Sequence, residues 1–132
     1  MVPVLAVSDV GRAAAWYVHV FGLVEHVRVG AAHRVQLGVD GERAEVIVRE
    51  LKDGERVSGT TYQVMLRVDD VDTVLRAAAA AGADADAAAR DMPYGERQGG
   101  FTDPFGHRWV LTQTLQDVDP GEWGGKTVVP RR

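Results

Sequence analysis

The sequence predicts an α+β fold of two β-α-β-β-β modules, with curved mixed sheets around a cleft. Three observations carry this. Apolar residues in the first half fall in one short run, one run at helical spacing and three alternating runs. The second half repeats that order. The anchors of the halves also match: Val7-Ser8-Asp9-Val10 aligns with Val68-Asp69-Asp70-Val71, Gly22 with Gly82, and Gly41 with Gly106, at offsets of 61, 60 and 65 residues. Such a repeat is one supersecondary unit copied. A single unit leaves one face of its sheet open. Two units side by side place about eight strands around a cleft, and clefts between modules are where small ligands bind.

Each element has a local cause. Residues 2–7 form the first strand, closed by Ser8-Asp9. Asp9 is an N-cap, because its carboxylate accepts from orphan N–H groups of the next turn. Helix 10–21 carries Ala13, Ala14, Trp16, Tyr17, Val20 and Phe21 at helical spacing, and Gly22 ends it as a C′ glycine. Strands 23–29, 34–39 and 43–50 alternate apolar and polar residues, punctuated by Gly30 and the hairpin pair Asp40-Gly41. The polar stretch 51–59, with Lys52, Asp53, Gly54, Glu55 and Arg56, is a linker. Strand 62–68 opens the second half. Asp70 caps helix 71–81, whose apolar face carries Val71, Val74, Leu75 and Ala78, and Gly82 closes it. Strands near 83–90, 98–103 and 108–114 follow. Gly99-Gly100 weakens the middle one and signals a bulge or a close backbone approach. Asp103-Pro104-Phe105-Gly106 is a tight turn. The expected organisation is one domain, 1–132, with module 1 at about 2–50, module 2 at about 60–115 and a tail at 116–132. Trp123 in that tail reads as an anchor against the body or a second subunit.

A chain of 132 residues supports one core. Its apolar and charged fractions, 45% and 26%, are those of a globular protein and exclude disordered and fibrous classes. The absence of cysteine excludes disulfides, thiolate metal sites and cysteine nucleophiles. No apolar stretch approaches the ~20 residues that span a bilayer. Met1-Val2-Pro3 shows no basic region before an apolar core, so no signal peptide is visible and the expected compartment is the cytoplasm. The formal charge is −4 without a basic stripe, which argues against nucleic acid as a partner.

The ordered set of motifs resembles the vicinal oxygen chelate superfamily of glyoxalase I, bleomycin-resistance proteins and extradiol dioxygenases. The stretches that carry the resemblance are Pro3-Val4-Leu5-Ala6-Val7-Ser8-Asp9 leading into Trp16-Tyr17 and Phe21-Gly22, then Val68-Asp69-Asp70-Val71-Asp72, then Met92-Pro93-Tyr94-Gly95-Glu96-Arg97. The most specific is Phe101-Thr102-Asp103-Pro104-Phe105-Gly106-His107-Arg108-Trp109, which looks like the PhnB-like branch. The resemblance spans roughly residues 2–115. It implies a glyoxalase/bleomycin-resistance fold and a homodimer.

In members that perform chemistry, the resemblance implies a divalent metal held by His, Glu or Gln from the first and last strands of each module. Those positions map here to Val2, Gln63, Glu45 and Val110. Two valines cannot coordinate, and a transition metal needs three or four protein donors. No metal and no cofactor are therefore expected. His19, His26, His33 and His107 form no ligand pair at helical spacing. His107 reads as a turn residue with local hydrogen bonds, and His26 and His33 as solvated residues flanking a hairpin.

Alternation places Ile47 and Arg49 on the face of Glu45, and Met65 and Arg67 on that of Gln63. The expected cleft is lined by Val2, Val4, Glu45, Ile47, Gln63, Met65, Phe101 and Val110, with Arg49 or Arg67 toward its ends. The arginines are either an anion clamp or part of a solvated edge. Glu45 beside one of them is either a general base or half of a salt bridge. Tyr94, Phe101 and Trp109 supply aromatic walls, unless Trp109 packs under a helix. Three functions are compatible: a metal-independent small-molecule binder that sequesters a drug or metabolite, a metal-independent isomerase, lyase or cyclase on a carbonyl compound with Glu45 as base, and an inert or regulatory module.

Overall fold

The computed structural model describes residues 2–30, 33–39, 44–55, 63–86 and 88–116. The Asp40-Gly41 hairpin, the end of the linker and the tail with Trp123 lie outside the described residues. Module 1 runs β1 (Val4–Val7), α1 (Val10–Phe21), β2 (Val24–Val29), β3 (Arg34–Gly38), β4 (Ala44–Glu50). Module 2 runs β5 (Val64–Arg67), α2 (Val71–Ala80), β6 (Asp84–Ala85), β7 (Arg90–Asp91), β8 (Glu96–Thr102), β9 (Arg108–Thr114). The fold is α+β, as the repeat predicts. The first sheet has the order β1-β4-β3-β2 and the second β5-β9-β8-β6, with β7 also on β8. In both, the first strand pairs parallel with the last and the remaining pairs are antiparallel. No described helix is long and apolar enough to cross a membrane.

The caps form as the sequence dictates. Asp9 accepts from the backbone N–H of Arg12 at 3.0 Å, and Asp70 from that of Thr73 at 3.2 Å. Gly22 takes the left-handed conformation, φ 70°, and its N–H reaches the Val18 carbonyl. One expected element differs. The strand read at 83–90 is broken into β6 and β7, which pair with β8 at Phe101–Thr102 and at Arg97–Gln98. Gly99-Gly100 itself pairs with β9 without a register shift. The glycines mark close approaches: a Cβ on Gly99 would meet Leu75 at 2.7 Å.

One face of each sheet packs on the helices. Leu5, Val7, Val35, Leu37, Val46 and Val48 lie beneath Ala13, Ala14, Tyr17 and Val20 of α1, all buried. The α1 helix also reaches over module 2. Phe21 packs tilted against Trp109 with centroids 4.6 Å apart, Tyr17 against Trp109 at 5.4 Å, and Trp16 against Phe101 at 5.8 Å. Trp16 Nε1 donates to the Ala81 carbonyl at 2.8 Å. His107 is buried in the same seam and donates from Nε2 to the Ala6 carbonyl of β1 at 2.8 Å.

At the centre is the buried Asp103. Its carboxylate accepts from the Tyr17 hydroxyl, from Trp109 Nε1 at 2.8 Å, and from the backbone N–H groups of Phe105 and His107 at 2.9 Å each. Removing it strands buried donors. Asp103→Ala should therefore cost about 3 kcal/mol or more, and Tyr17→Phe about 1 kcal/mol, in urea denaturation. A loss below about 1 kcal/mol for Asp103→Ala would show that the carboxylate does not organise this seam.

Candidate functional site

The open faces of the sheets and the free edge of β5 carry the candidate site. Register places Val4, Ile47 and Gln36 in one cross-strand row of the first sheet, and Val27 opposite Gln36. Two bulges shape this face. His26 is the extra residue of β2, so Val24, Val27 and Val29 all project to the open side and are exposed. In β4, Leu37 pairs with Val46 but Gly38 with Ala44, so Glu45 is the extra residue there. The second sheet presents Met65, Val110 and Gly100 in one row, with Arg67, Thr112 and Gln98 in the next.

The unpaired edges of β1 and β5 adjoin. A cavity of about 400 Å³ between them is lined by Val2, Val4, Gln63 and Met65, among others. A second, of about 550 Å³, runs from the rest of β5 to the helix ends and is lined by Glu45, Met65 and Arg67, by Phe21 at the end of α1, and by Thr73 and Val74 at the start of α2. Met65, 58% exposed, belongs to both. Five of the expected cleft residues, with Arg67, thus meet in two adjoining cavities. Val110, the register partner of Met65, lines a hollow of about 390 Å³ on the second sheet. Ile47 is half-buried on the open face beside Val4.

The structure places other expected residues elsewhere. Phe101 and Trp109 are fully buried against α1, on the opposite side of the sheet from Val110, so neither is a cleft wall. Trp109 has even parity with Leu111, and its indole needs the Asp103 acceptor. Arg49 pairs with Glu55, Nη1 to Oε1 at 2.7 Å and Nη2 to Oε2 at 2.6 Å, which draws it to the linker. Glu45 is exposed and, among the described residues, has no hydrogen-bond or ion-pair partner. It is not half of a salt bridge with Arg49 or Arg67. His33 and His26 are engaged, with the Glu50 carboxylate at 2.7 Å and the Val39 carbonyl at 3.0 Å.

A polar chain on the second sheet was not read from the sequence. The Tyr94 hydroxyl donates to Gln98 at 2.9 Å, Gln98 donates to Thr112 at 3.2 Å, Thr112 to Glu96 at 3.2 Å, and Arg67 to Glu96 at 2.5 Å and to Thr114. Desolvation pushes the Glu96 carboxyl up, but hydrogen bonds from Arg67, Thr114 and Thr112 outweigh it and hold it below the usual range. Antiparallel counting outward from the Asp103–Gly106 turn pairs Gly100 with Val110, Gln98 with Thr112 and Glu96 with Thr114. That signal was present in the sequence.

The Glyoxalase/Bleomycin resistance protein/Dioxygenase superfamily model matches residues 2–111. The chain belongs to this superfamily. An uncharacterised Mycobacterium tuberculosis protein is 33% identical over 131 residues, covering 91% of this chain and 77% of its own. The crystal structure of TioX from Micromonospora sp. ML1 is similar at 34% identity and TM-score 0.68, over 87% of this chain and 98% of TioX. The fosfomycin resistance protein FosX from Mesorhizobium loti shares the fold at TM-score 0.61 and 22% identity, over 86% of this chain and 89% of FosX.

The divalent metal implied for catalytic superfamily members does not fit these donors. Val2 and Val110 offer none, Glu45 and Gln63 line different cavities, and no group of three His, Asp or Glu among the described residues could hold an ion.

The ion pair that removes Arg49 from the cleft has a pH signature. The Arg49 hydrogen bonds, and then the Lys52 backbone N–H, lower the Glu55 carboxyl from 4.5 to about 2. Its contribution to stability is therefore complete above the unfolded value and lost as pH falls toward about 2. Glu55→Gln should flatten the acid limb of a stability profile across that window. An unchanged limb would show that the pair contributes nothing in solution.

Proposed function

We propose that this chain is a metal-independent small-molecule-binding protein of the glyoxalase/bleomycin-resistance type, which sequesters a drug or metabolite. The observation that carries this reading is the pair of adjoining cavities joined at Met65. The smaller is walled mainly by apolar residues, the larger mixes apolar residues with Glu45, Arg67, Asp69 and Asp70, their volumes of about 400 and 550 Å³ suit a small ligand, and Glu45 has no partner among the described residues. Met65 is flexible and polarisable, which suits it to contact with irregular ligands. The valines at two of the four metal positions support metal independence, and the similarity to TioX and FosX, one named for fosfomycin resistance, is compatible with a role in drug handling.

We further propose a homodimer acting in the cytoplasm. The exposed row Val24, Val27 and Val29 on edge strand β2 supports association, because contiguous apolar surface marks interaction sites. Native mass spectrometry of the purified protein should give a species of about twice 14.3 kDa that carries a small organic molecule and no stoichiometric divalent ion. A ligand-free monomer, or one metal ion per chain, would overturn this reading.

One feature favours a second reading, a metal-independent isomerase, lyase or cyclase. Glu45 and Arg67 line the same cavity. Glu45 would take a proton from the carbon beside a carbonyl, the C–H electron pair would pass into an enolate, and the Arg67 guanidinium would face the enolate oxygen. The ligand found with the protein separates the two. If Glu45 orients it, Glu45→Ala weakens its binding by ~1.5–3 kcal/mol in a titration, roughly ten- to a hundredfold. Unchanged affinity removes Glu45 from the site, whereas chemical turnover of the ligand that Glu45→Ala abolishes establishes the enzyme.

A further inference from the structure

The larger cavity beside β5 carries both signs of charge, and they do not satisfy one another. Arg67 is on its wall, with a side chain 63% exposed. A single guanidinium nitrogen, Nη1, makes both of its hydrogen bonds, to Glu96 Oε1 at 2.5 Å and to the Thr114 hydroxyl. Nε and Nη2 have no partner among the described residues. These two nitrogens share the other edge of the planar group, and their N–H bonds run side by side at the spacing a carboxylate accepts.

Glu96 holds that edge in place. Its side chain is 13% exposed and also accepts from the Thr112 hydroxyl at 3.2 Å, which in turn accepts from Gln98. An arginine tied through one nitrogen to such a chain has given up much of its rotamer freedom before a ligand arrives, so less is lost on binding.

The acidic side of the cavity consists of Glu45, Asp69 and Asp70. Asp70 is engaged with the Thr73 N–H as the cap of α2. Glu45 and Asp69 are exposed and have no hydrogen bond or ion pair among the described residues. A purely anionic ligand would leave these carboxylates unmatched, and a purely cationic one would waste the free edge of Arg67. Phe21, Met65 and Val74 supply apolar surface in the same cavity.

On the reading of these cavities as a small-molecule site, we propose that the ligand of the larger one is a zwitterion, with a carboxylate and an ammonium group on an apolar frame. The carboxylate takes the Nε–Nη2 edge of Arg67, the ammonium meets Glu45 and Asp69, and the frame lies on Phe21, Met65 and Val74. Glu96 is a positioning residue that sets the guanidinium for the carboxylate.

The test is calorimetric titration of the full chain with L-phenylalanine, with phenethylamine, which lacks its carboxylate, and with 3-phenylpropionate, which lacks its amine. L-Phenylalanine should bind about tenfold or more tightly than either. Arg67→Gln should reduce L-phenylalanine to the level of phenethylamine and leave phenethylamine itself unchanged, which also shows that the variant is folded. Glu45→Gln combined with Asp69→Asn should erase the advantage over 3-phenylpropionate. Glu96→Gln should weaken the two carboxylate probes alike and spare phenethylamine, a pattern that general loss of stability does not produce. L-Phenylalanine binding no tighter than either half-probe, or no binding of any probe, would overturn the zwitterion. A carboxylate advantage that survives Arg67→Gln would overturn the role of Arg67. A small molecule retained by the purified protein in native mass spectrometry would still stand in those cases, because that measurement does not depend on the charge of the ligand.

Discussion

The Asp103 carboxylate is the constraint on which the arrangement depends. It sits in the β8–β9 turn of module 2, yet one of its donors, the Tyr17 hydroxyl, comes from α1 of module 1, 86 residues earlier. A buried carboxylate is tolerated only when its lone pairs are filled. Here two side-chain and two backbone donors fill them. That requirement clamps α1 over the second sheet and closes the aromatic cluster of Trp16, Tyr17, Phe21, Phe101 and Trp109. His107, positioned by the same turn, then reaches the Ala6 carbonyl of β1. The edges of β1 and β5 are brought together as a result, and the cavities beside them follow.

The duplicated modules have diverged on their open faces. The first sheet exposes valines, and its bulge at His26 keeps three of them on one side. The second sheet carries a hydrogen-bonded chain from Tyr94 to Arg67. Cross-strand polar pairs of this kind rigidify a surface, while an apolar face gains from being covered. One repeat thus offers a surface suited to association and the other a preorganised polar wall, although both descend from the same strand pattern.

The same divergence bears on chemistry. Positions that would bring donors together across the pseudo-symmetric halves hold Val2 and Val110, and the carboxylate that remains, Glu45, is offset by a bulge into the cavity along β5. In the binding function proposed above, a ligand there would meet apolar residues together with Glu45 and Arg67. Selectivity would then rest on shape and on a few polar groups, as in other small-molecule sites.

The sequence by itself determined the duplication, both helix N-caps, the glycine that ends α1, and the parity of β1, β4, β5 and β9. These are local: a cap is set within three residues, and alternation within a strand. Parity also put Val2 with Val4, and Gln63 with Met65, on one side of their strands, while the docking of β1 beside β5 brought the two pairs together. Only the tertiary structure decided that Phe101 and Trp109 belong to the core, because parity separates two faces without saying which one a distant helix covers. Only it decided that Arg49 goes to Glu55 and Arg67 to Glu96, since long cationic side chains choose among several carboxylates within reach. The bulges at His26 and at Glu45 were likewise invisible locally, because a bulge exists only relative to the strand it pairs with.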